Sequence, residues 1–581
     1  QSGENPGTNW LERLRNKNAI TTNHAVNIAG GSDNSTFSIG AGFQDQDGTF
    51  GSPAPSNYRR FTFRVNSEHV VLRGKDKREV LKVGENIYYQ HAQTKGIQIG
   101  NQYSNNISTA LRANPLIPVF NSNGDYFSYN DFKASGTSPT GWFSYNQYSS
   151  NPEYLLTMTQ GANNKSRNMN LNAVGYVEIS PWKGFKYRGQ IDYKSYASSW
   201  KGMTKAYKIN DSSDGQQAST SLTQNETLGW NWGTTHTFNY VFDVSKHHFD
   251  ALFGMEYSRE GNNMGDYMQA TATGFMFDPN GLDYAYLRNF TDRSKATVDG
   301  TPASNDHSLM SYFGRINYNW NETYMLTAIL RADGSSNFAK GHRWGWFPSF
   351  SAGWVVTNEK FMEKTRSWLD YLKLRTSWGQ NGNENIGQFM YTGTFAFGSD
   401  GLYSFNNDKE SGTQGGYPTR LPNPDITWET SEQFDAGFDA RFLRQRLNLT
   451  FDYYVKKTKD LLLSVPIPPE NGFSSNVQNA GTVENKGIEI ALSWRDRIGS
   501  DFEYNVGWNL AYNHNEVTKV NNGNHYINGS QNILSQGTGA ISRMEEGEPI
   551  GYFYGYKTEG VMQNAADVQA YLDKNCGGKA E

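Results

Sequence analysis

The chain has 581 residues, of which 36% are apolar and 14% aromatic, with 59 glycines and a mean hydropathy of −0.73. So few apolar residues argue against a dense soluble core, and so many aromatics argue against a disordered chain. A formal charge of −4 without a basic run gives no nucleic-acid signal, and one cysteine, Cys576, allows neither a disulfide framework nor a cysteine metal cluster. No apolar run approaches the roughly 18 residues of a membrane helix, which leaves open spanning strands of about 9–11 residues.

In chain order, residues 1–21 read as a lead-in, short helical or irregular from Asn9 to Leu14. Strand pairs then begin. Phe37, Ile39, Ala41 and Phe43 alternate with Ser38, Gly40 and Gly42, and Phe61, Phe63 and Val65 alternate with Arg60, Thr62, Arg64 and Asn66. Successive side chains on a strand point to opposite faces, so each of these has one apolar and one polar face. Val80 to Gln93 returns less cleanly. From Ile97 to Ser166 no period survives, which predicts a large surface excursion.

Alternation resumes with Leu171, Ala173, Gly175, Val177 and Ile179, then a turn through Pro181 and Gly184, then Phe185 to Tyr193. Leu228 to Val244 and Phe249 to Ser258 form the next pair, around Ser245-Lys246-His247-His248, followed by a long loop near Gly261 to Asp306. Tyr312 to Tyr318, Tyr324 to Leu330, Phe350 to Val356 and Leu372 to Trp378 continue the series. After a polar loop to about Ile426, Phe434 to Phe442, Leu447 to Val455, Ile488 to Trp494 and Phe502 to Tyr512 complete it. The tail after Asn513 reads as loop, with a helix at Asn564 to Leu572.

The count is about 16 strands, joined alternately by short turns and long loops, as in outer-membrane barrels. A one-residue slip inverts a strand's faces, so repeated in-phase alternation is a strong signal. Aromatics gather beside the short turns: Trp182, Phe185 and Tyr187; Tyr318, Trp320 and Tyr324; Trp494, Phe502 and Tyr504. In a bilayer these form an interfacial girdle. The expected fold is all-β, a transmembrane antiparallel barrel with short periplasmic turns and long extracellular loops.

Several stretches resemble the SusC/RagA-like TonB-dependent outer-membrane transporters of Bacteroidetes. Among them are Ser311-Tyr312-Phe313-Gly314-Arg315, Arg331-Ala332-Asp333-Gly334-Ser335-Ser336, Arg343-Trp344-Gly345-Trp346-Phe347-Pro348-Ser349 and Asn151-Pro152-Glu153-Tyr154. Leu372-Lys373-Leu374-Arg375, Asn479-Ala480-Gly481 and Gly547-Glu548-Pro549-Ile550-Gly551-Tyr552 extend the likeness along nearly the whole chain, in order. The resemblance implies a barrel of about 22 strands with a plugged lumen. It also implies that this sequence lacks the plug and the last strands. On that basis residues 1–21 are a lead-in after the missing plug, 22–513 a partial barrel, and 514–581 an extracellular loop leading to missing strands. The implied role is TonB-dependent import of a bulky nutrient, an oligosaccharide or peptide, across a Gram-negative outer membrane. Its implied partners are a SusD-like surface lipoprotein, TonB and outer-membrane lipid. The alternative is a barrel-anchored surface receptor or structural protein without active transport.

No catalytic constellation emerges. The pair His247-His248 lacks a spaced third ligand, and Asp45-Gln46-Asp47-Gly48 reads as a hairpin loop, because its calcium-loop twelfth position is Ser56. No cofactor, metal or bond-breaking chemistry is expected. Asp435, Asp439 and Asp452 share polar faces with Arg441, which favours a charge-compensated lumen wall over acid–base work; Arg315 and Asn317 belong to the same expected lining. Arg331, Asp333, Arg343, Trp344 and Trp346 are candidate cargo or lid contacts. Their structural reading, an Asp-Gly turn with Arg paired to Asp, explains them more directly. Aromatic loops at Trp142-Phe143-Ser144-Tyr145 and Tyr284-Ala285-Tyr286 are candidates for stacking on sugars or peptides, though packing within the loops serves equally.

Overall fold

A computed structural model describes all residues except 1–6, 100–104, 135–149, 210–215, 263–267, 274–281, 290–296, 301–306, 404–412, 469, 471, 474, 532, 534–536, 559 and 576–581. Cys576 and the aromatic loop 142–145 lie outside the described residues. The wall strands are β1 (Thr21–Ser32), β2 (Ser35–Asp47), β3 (Asn57–Arg73), β4 (Glu79–Lys95), β5 (Asn164–Ile179), β6 (Phe185–Thr204), β7 (Ser221–Val244) and β8 (His247–Asn262). They continue with β9 (His307–Trp320), β10 (Tyr324–Ser335), β11 (Trp344–Val355), β12 (Leu369–Asn383), β13 (Glu429–Phe442), β14 (Leu447–Lys459), β15 (Gly481–Ile498) and β16 (Phe502–Val520). Each pairs antiparallel with its neighbours in chain order. Two short strands, Met268–Thr273 and Thr297–Gly300, extend the β7 end of the sheet beyond this meander. Among the described residues β1 pairs only with β2, and β16, within the wall, only with β15.

The register keeps one face apolar across the whole sheet. Tyr318 lies opposite Leu326, Leu326 opposite Ala352, Ala328 opposite Phe350, Phe350 opposite Trp378, and Trp378 opposite Phe434. These rows are not covered by a second layer: Leu326 is 53% exposed, Phe350 55% and Ile316 55%. Large apolar side chains left bare along every strand are intolerable in water over such an area and ordinary against lipid. The other face carries Asn, Thr, Ser, Asp and Arg.

Short turns cluster at one rim and long loops at the other. At the short-turn rim Gly184 has φ +85°, and a Cβ there would sit 2.2 Å from the Val241 carbonyl oxygen, so the turn requires glycine. The aromatic girdle predicted at this rim exists as a series of stacked and tilted ring contacts. Trp182 meets Phe185 at 4.6 Å, Phe242 meets Phe249 at 4.9 Å, and Phe249 meets Tyr318 at 5.1 Å. Trp320 then meets Tyr324 at 5.6 Å, and Tyr324 meets Trp354 at 6.2 Å.

The stretch 97–166 differs from the expected irregular excursion. Helices Asn106–Arg112, Tyr129–Ala134 and Pro152–Met158 pack with the lead-in helix Trp10–Leu14. Their core is built from Trp10, Leu14, Ile117, Leu155, Leu156 and neighbours. Alternation analysis misses this small domain because its helices span only two turns or fewer, too short for a 3.6-residue period to register. Asn151-Pro152 carried a readable signal: Asn at the N-cap, accepting from the Glu153 and Tyr154 amides, and Pro at the first helical position.

Candidate functional site

The candidate site is the polar face of the wall, where ion pairs bridge adjacent strands. In β3 to β6, Lys82 Nζ lies 3.1 Å from Glu68 and 3.3 Å from Glu178, and Arg188 bonds Glu178 at 3.0 Å. The Arg188 guanidinium rests 3.9 Å over the Tyr176 ring, and Tyr176 donates to Glu68 at 2.7 Å. Tyr176 lies flat because Gly84 faces it across the strands; a Cβ at Gly84 would come within 2.4 Å of the ring. Further round, Asp250 accepts from Asn239 at 2.6 Å and pairs with Arg315 at 3.2 Å, while Asn317 accepts from Thr327 at 2.9 Å.

In β12 to β14, Arg375 is surrounded by Asp452 at 2.6 Å, Asp439 at 3.2 Å and Asp435 at 3.5 Å. Gly437 lies opposite Arg375 on one side and Asp452 on the other, leaving the gap through which the guanidinium reaches two strands away. Arg441 sits 5.0 Å over the Tyr371 ring on the same face. All six residues expected to line the interior (Arg315, Asn317, Asp435, Asp439, Arg441 and Asp452) are therefore on the polar face. Arg375, which ties three of them together, was not among the sequence candidates; an Arg on the polar side of a strand facing an acidic strand was its only signal. Paired charges of this kind give a wetted wall with fixed donors and acceptors. No group of three or more metal-ligating residues occurs among the described residues.

The other five candidates do not form one cluster. Arg331 and Asp333 lie on the polar face and bond to each other at 2.7 Å. Asp333-Gly334 lies within β10 rather than in a turn, so the pairing half of the structural reading stands and the turn half does not. Trp344 and Trp346 project from the opposite, lipid-facing side, 47% and 62% exposed, with Trp344 stacked on Tyr312 at 6.0 Å. They therefore stand on the apolar face, beside the aromatic ring of Tyr312, and not on the polar face with Arg331 and Asp333. Arg343 bonds the Phe338 carbonyl at 3.2 Å and is a loop brace. His247 and His248 begin β8, held by Tyr318 at 2.8 Å and Asp243 at 2.7 Å. Asp45 belongs to the end of β2 and pairs with Arg59 at 2.8 Å rather than forming a loop.

In the small domain on the long-loop rim, the buried Glu153 takes a two-pronged contact from Arg13, at 2.6 and 3.1 Å, and accepts from the Tyr126 hydroxyl at 3.1 Å. Burial, and then the Glu153 charge, push the Tyr126 phenol up to about 12. Asp131 is pulled the other way. Burial raises its carboxyl, but hydrogen bonds from Asn121 and from the Ser128 amide and hydroxyl outweigh it and hold it below the usual range. A depressed carboxyl contributes stability above its unfolded value, about 3.9, and loses it as pH falls through the lower folded value. Protection of the Ser128 amide, the slowing of its exchange relative to the unstructured rate at the same pH, is expected to hold down to about pH 4 and to fall below it. Asp131→Asn should abolish that pH step. A protection profile flat through pH 3 in the unaltered protein would show that the carboxylate does not hold this turn.

A single-layered sheet, apolar and bare on one side, charged and polar on the other, ringed by aromatics, defines a membrane-spanning β-barrel wall of the outer-membrane type. Residues 120–571 match the family described as TonB dependent receptor-like, beta-barrel, and the chain belongs to that family of outer-membrane proteins. It is 28% identical to the TonB-dependent receptor SusC of Bacteroides thetaiotaomicron, over 98% of this chain and 54% of SusC. It is also 28% identical to the TonB-dependent receptor P3 of Formosa agariphila, over 96% of this chain and 51% of that protein. Its fold matches the RagAB peptide transporter structure with a TM-score of 0.73 at 23% identity, covering 94% of this chain and 56% of that one. The chain spans about half the length of the curated relatives it matches.

Proposed function

We propose that the whole protein imports a bulky polar nutrient, an oligosaccharide or peptide, across the outer membrane. In this reading it is energised through TonB and works with a SusD-like surface lipoprotein as lid. The observation that carries it is the continuous polar face of fixed ion pairs behind an exposed apolar face, which makes a conduit wall. SusC and RagAB, the proteins it resembles, are named as a TonB-dependent receptor and a peptide transporter. In the proposed domain arrangement residues 22–513 are wall and 514–581 an outer loop, but β16 carries the wall on to Val520, because Asn515 to Val520 still pair with Gly481 to Asn485, so the loop begins after it. The lead-in helix Trp10–Leu14 packs at the long-loop rim. Further strands of the whole protein would close the free edges of β1 and β16, since open edges are prohibitive in lipid. The chain supplies binding and passage, with no bond-breaking step.

Uptake by cells carrying the full-length gene tests this, using labelled oligosaccharides and peptides with and without the proton-motive force. Energy-dependent accumulation of either class is expected. Surface binding without accumulation would favour the receptor reading. Absence of any conductance from the full-length protein with its plug deleted would remove the conduit.

A further inference from the structure

On the lipid-facing side, four cations gather where β4, β5 and β6 reach the long-loop rim. Lys165 lies directly opposite Lys201, and Arg167 is the next outward-facing residue below Lys165. Lys95 ends the neighbouring strand one position beyond Thr94, which pairs with Ser166. Exposed Met169 and then the apolar row down to Ile179 continue the same face, and Ile179 pairs with Tyr187 of the short-turn girdle. At about 3.4 Å per residue and a tilt near 45°, Arg167 stands roughly 29 Å from that girdle, about the thickness of the hydrocarbon layer. The cations therefore ring the outer-leaflet headgroup level.

The surrounding structure fixes this row. Two 3-10 turns, Leu282–Tyr284 and Leu287–Asn289, fold over the outside of the sheet, pinned by fully buried Ala285 against Met203 and Leu222. They bring Asp283 to 3.3 Å from Lys165 and the Tyr286 ring to 4.9 Å from Lys201. Tyr284-Ala285-Tyr286 thus stands on the outside of the wall, away from any cargo path. The Lys165 ammonium, helped by Lys95 and Lys201, holds the Asp283 carboxyl below its usual range, a sign of the positive field concentrated here. Glu226, the other nearby carboxylate, is bonded to Gln224 at 3.0 Å. Lys95 and Arg167 are exposed, and among the described residues neither is within ion-pair distance of a carboxylate. Among the described residues four cations thus face two carboxylates at a level where lipid headgroups sit.

We propose that Lys95, Lys165, Arg167 and Lys201 form a binding site for the phosphate groups of an outer-leaflet glycolipid whose acyl chains lie on the apolar face below. The arginine fork and the lysine ammoniums suit phosphate oxygens, and the adjoining apolar face suits the chains of the same molecule. The site rests on the outer-membrane placement of the barrel and is independent of what passes through it.

Native mass spectrometry of the full-length detergent-solubilised protein with added bis-phosphorylated lipid A tests the site. Lys165→Gln with Arg167→Gln should lower lipid occupancy by roughly tenfold or more, and Lys95→Gln alone by a smaller factor. Lys457→Gln, elsewhere on the outer-facing rim and paired with Glu484 at 2.8 Å, should change little. Dephosphorylated lipid A should bind the unaltered protein as poorly as the double variant binds the phosphorylated form. Equal occupancy in the double variant, with unchanged heat-modifiable migration of the barrel, overturns the proposal. So does displacement of the lipid by millimolar inorganic phosphate alone, which would make this a free-anion site. Nutrient uptake should be retained by the double variant, so loss of lipid binding and loss of the import reading can be told apart.

Discussion

Phe350→Arg is expected to destabilise the barrel by about 2–4 kcal/mol, the penalty for a cation at the bilayer midplane. Ser351→Arg, one residue along, should stay within about 1 kcal/mol because it faces water. Phe350 projects from the bare apolar side, stacked on Trp378 at 6.2 Å, midway between Trp354 at the girdle and Trp344 at the far end of the same strand. Ser351 pairs with Thr327 and Ser377 on the polar side. Equilibrium unfolding of the two variants in lipid vesicles measures the contrast. Equal effects, or a larger one at Ser351, would mean that the apolar rows do not meet lipid.

Glu153→Ala should loosen the small helical domain while leaving the wall intact. The Glu153 side chain is 4% exposed and anchors Arg13, 43% exposed, and Tyr126. Breaking a buried pair costs about 3–5 kcal/mol. Because Arg13 can turn to water, about 2–3 kcal/mol is the better expectation. The result should appear as faster proteolysis and hydrogen exchange across residues 106–158, with the lead-in helix released alongside. Glu153→Gln should fall between, since it keeps an acceptor for Arg13 and Tyr126 but no charge. If only the helix Pro152–Met158 loosened and the lead-in stayed protected, the ion pair would not be what couples them.

The alternation made the wall legible because lipid on one side and water on the other impose a strict two-residue period on every strand. Phe434 to Phe442 and Leu447 to Val455 could be assigned to faces before any pairing was known, and their register in β13 and β14 agrees. Turn and girdle positions followed, since Trp182, Trp320 and Trp494 each flank a short connection. The pairing of Arg331 with Asp333 is legible because the two share a face of one strand, whereas only adjacency in sequence associates Trp344 and Trp346 with them. Strand parity places these two on the other face.

What the sequence determined by itself is the two-faced strand, because solvent on each side acts residue by residue. What the tertiary structure decided is everything that depends on which strands lie side by side. Arg375 meets Asp452 only because β13 offers a glycine between them, and Lys95, Lys165 and Lys201 become one row only through the register of β4 to β6. Likewise Arg13 and Glu153, 140 residues apart, join only once a short helix has a core to pack against. Contacts of that kind are set by packing between distant segments, for which a local period carries no information.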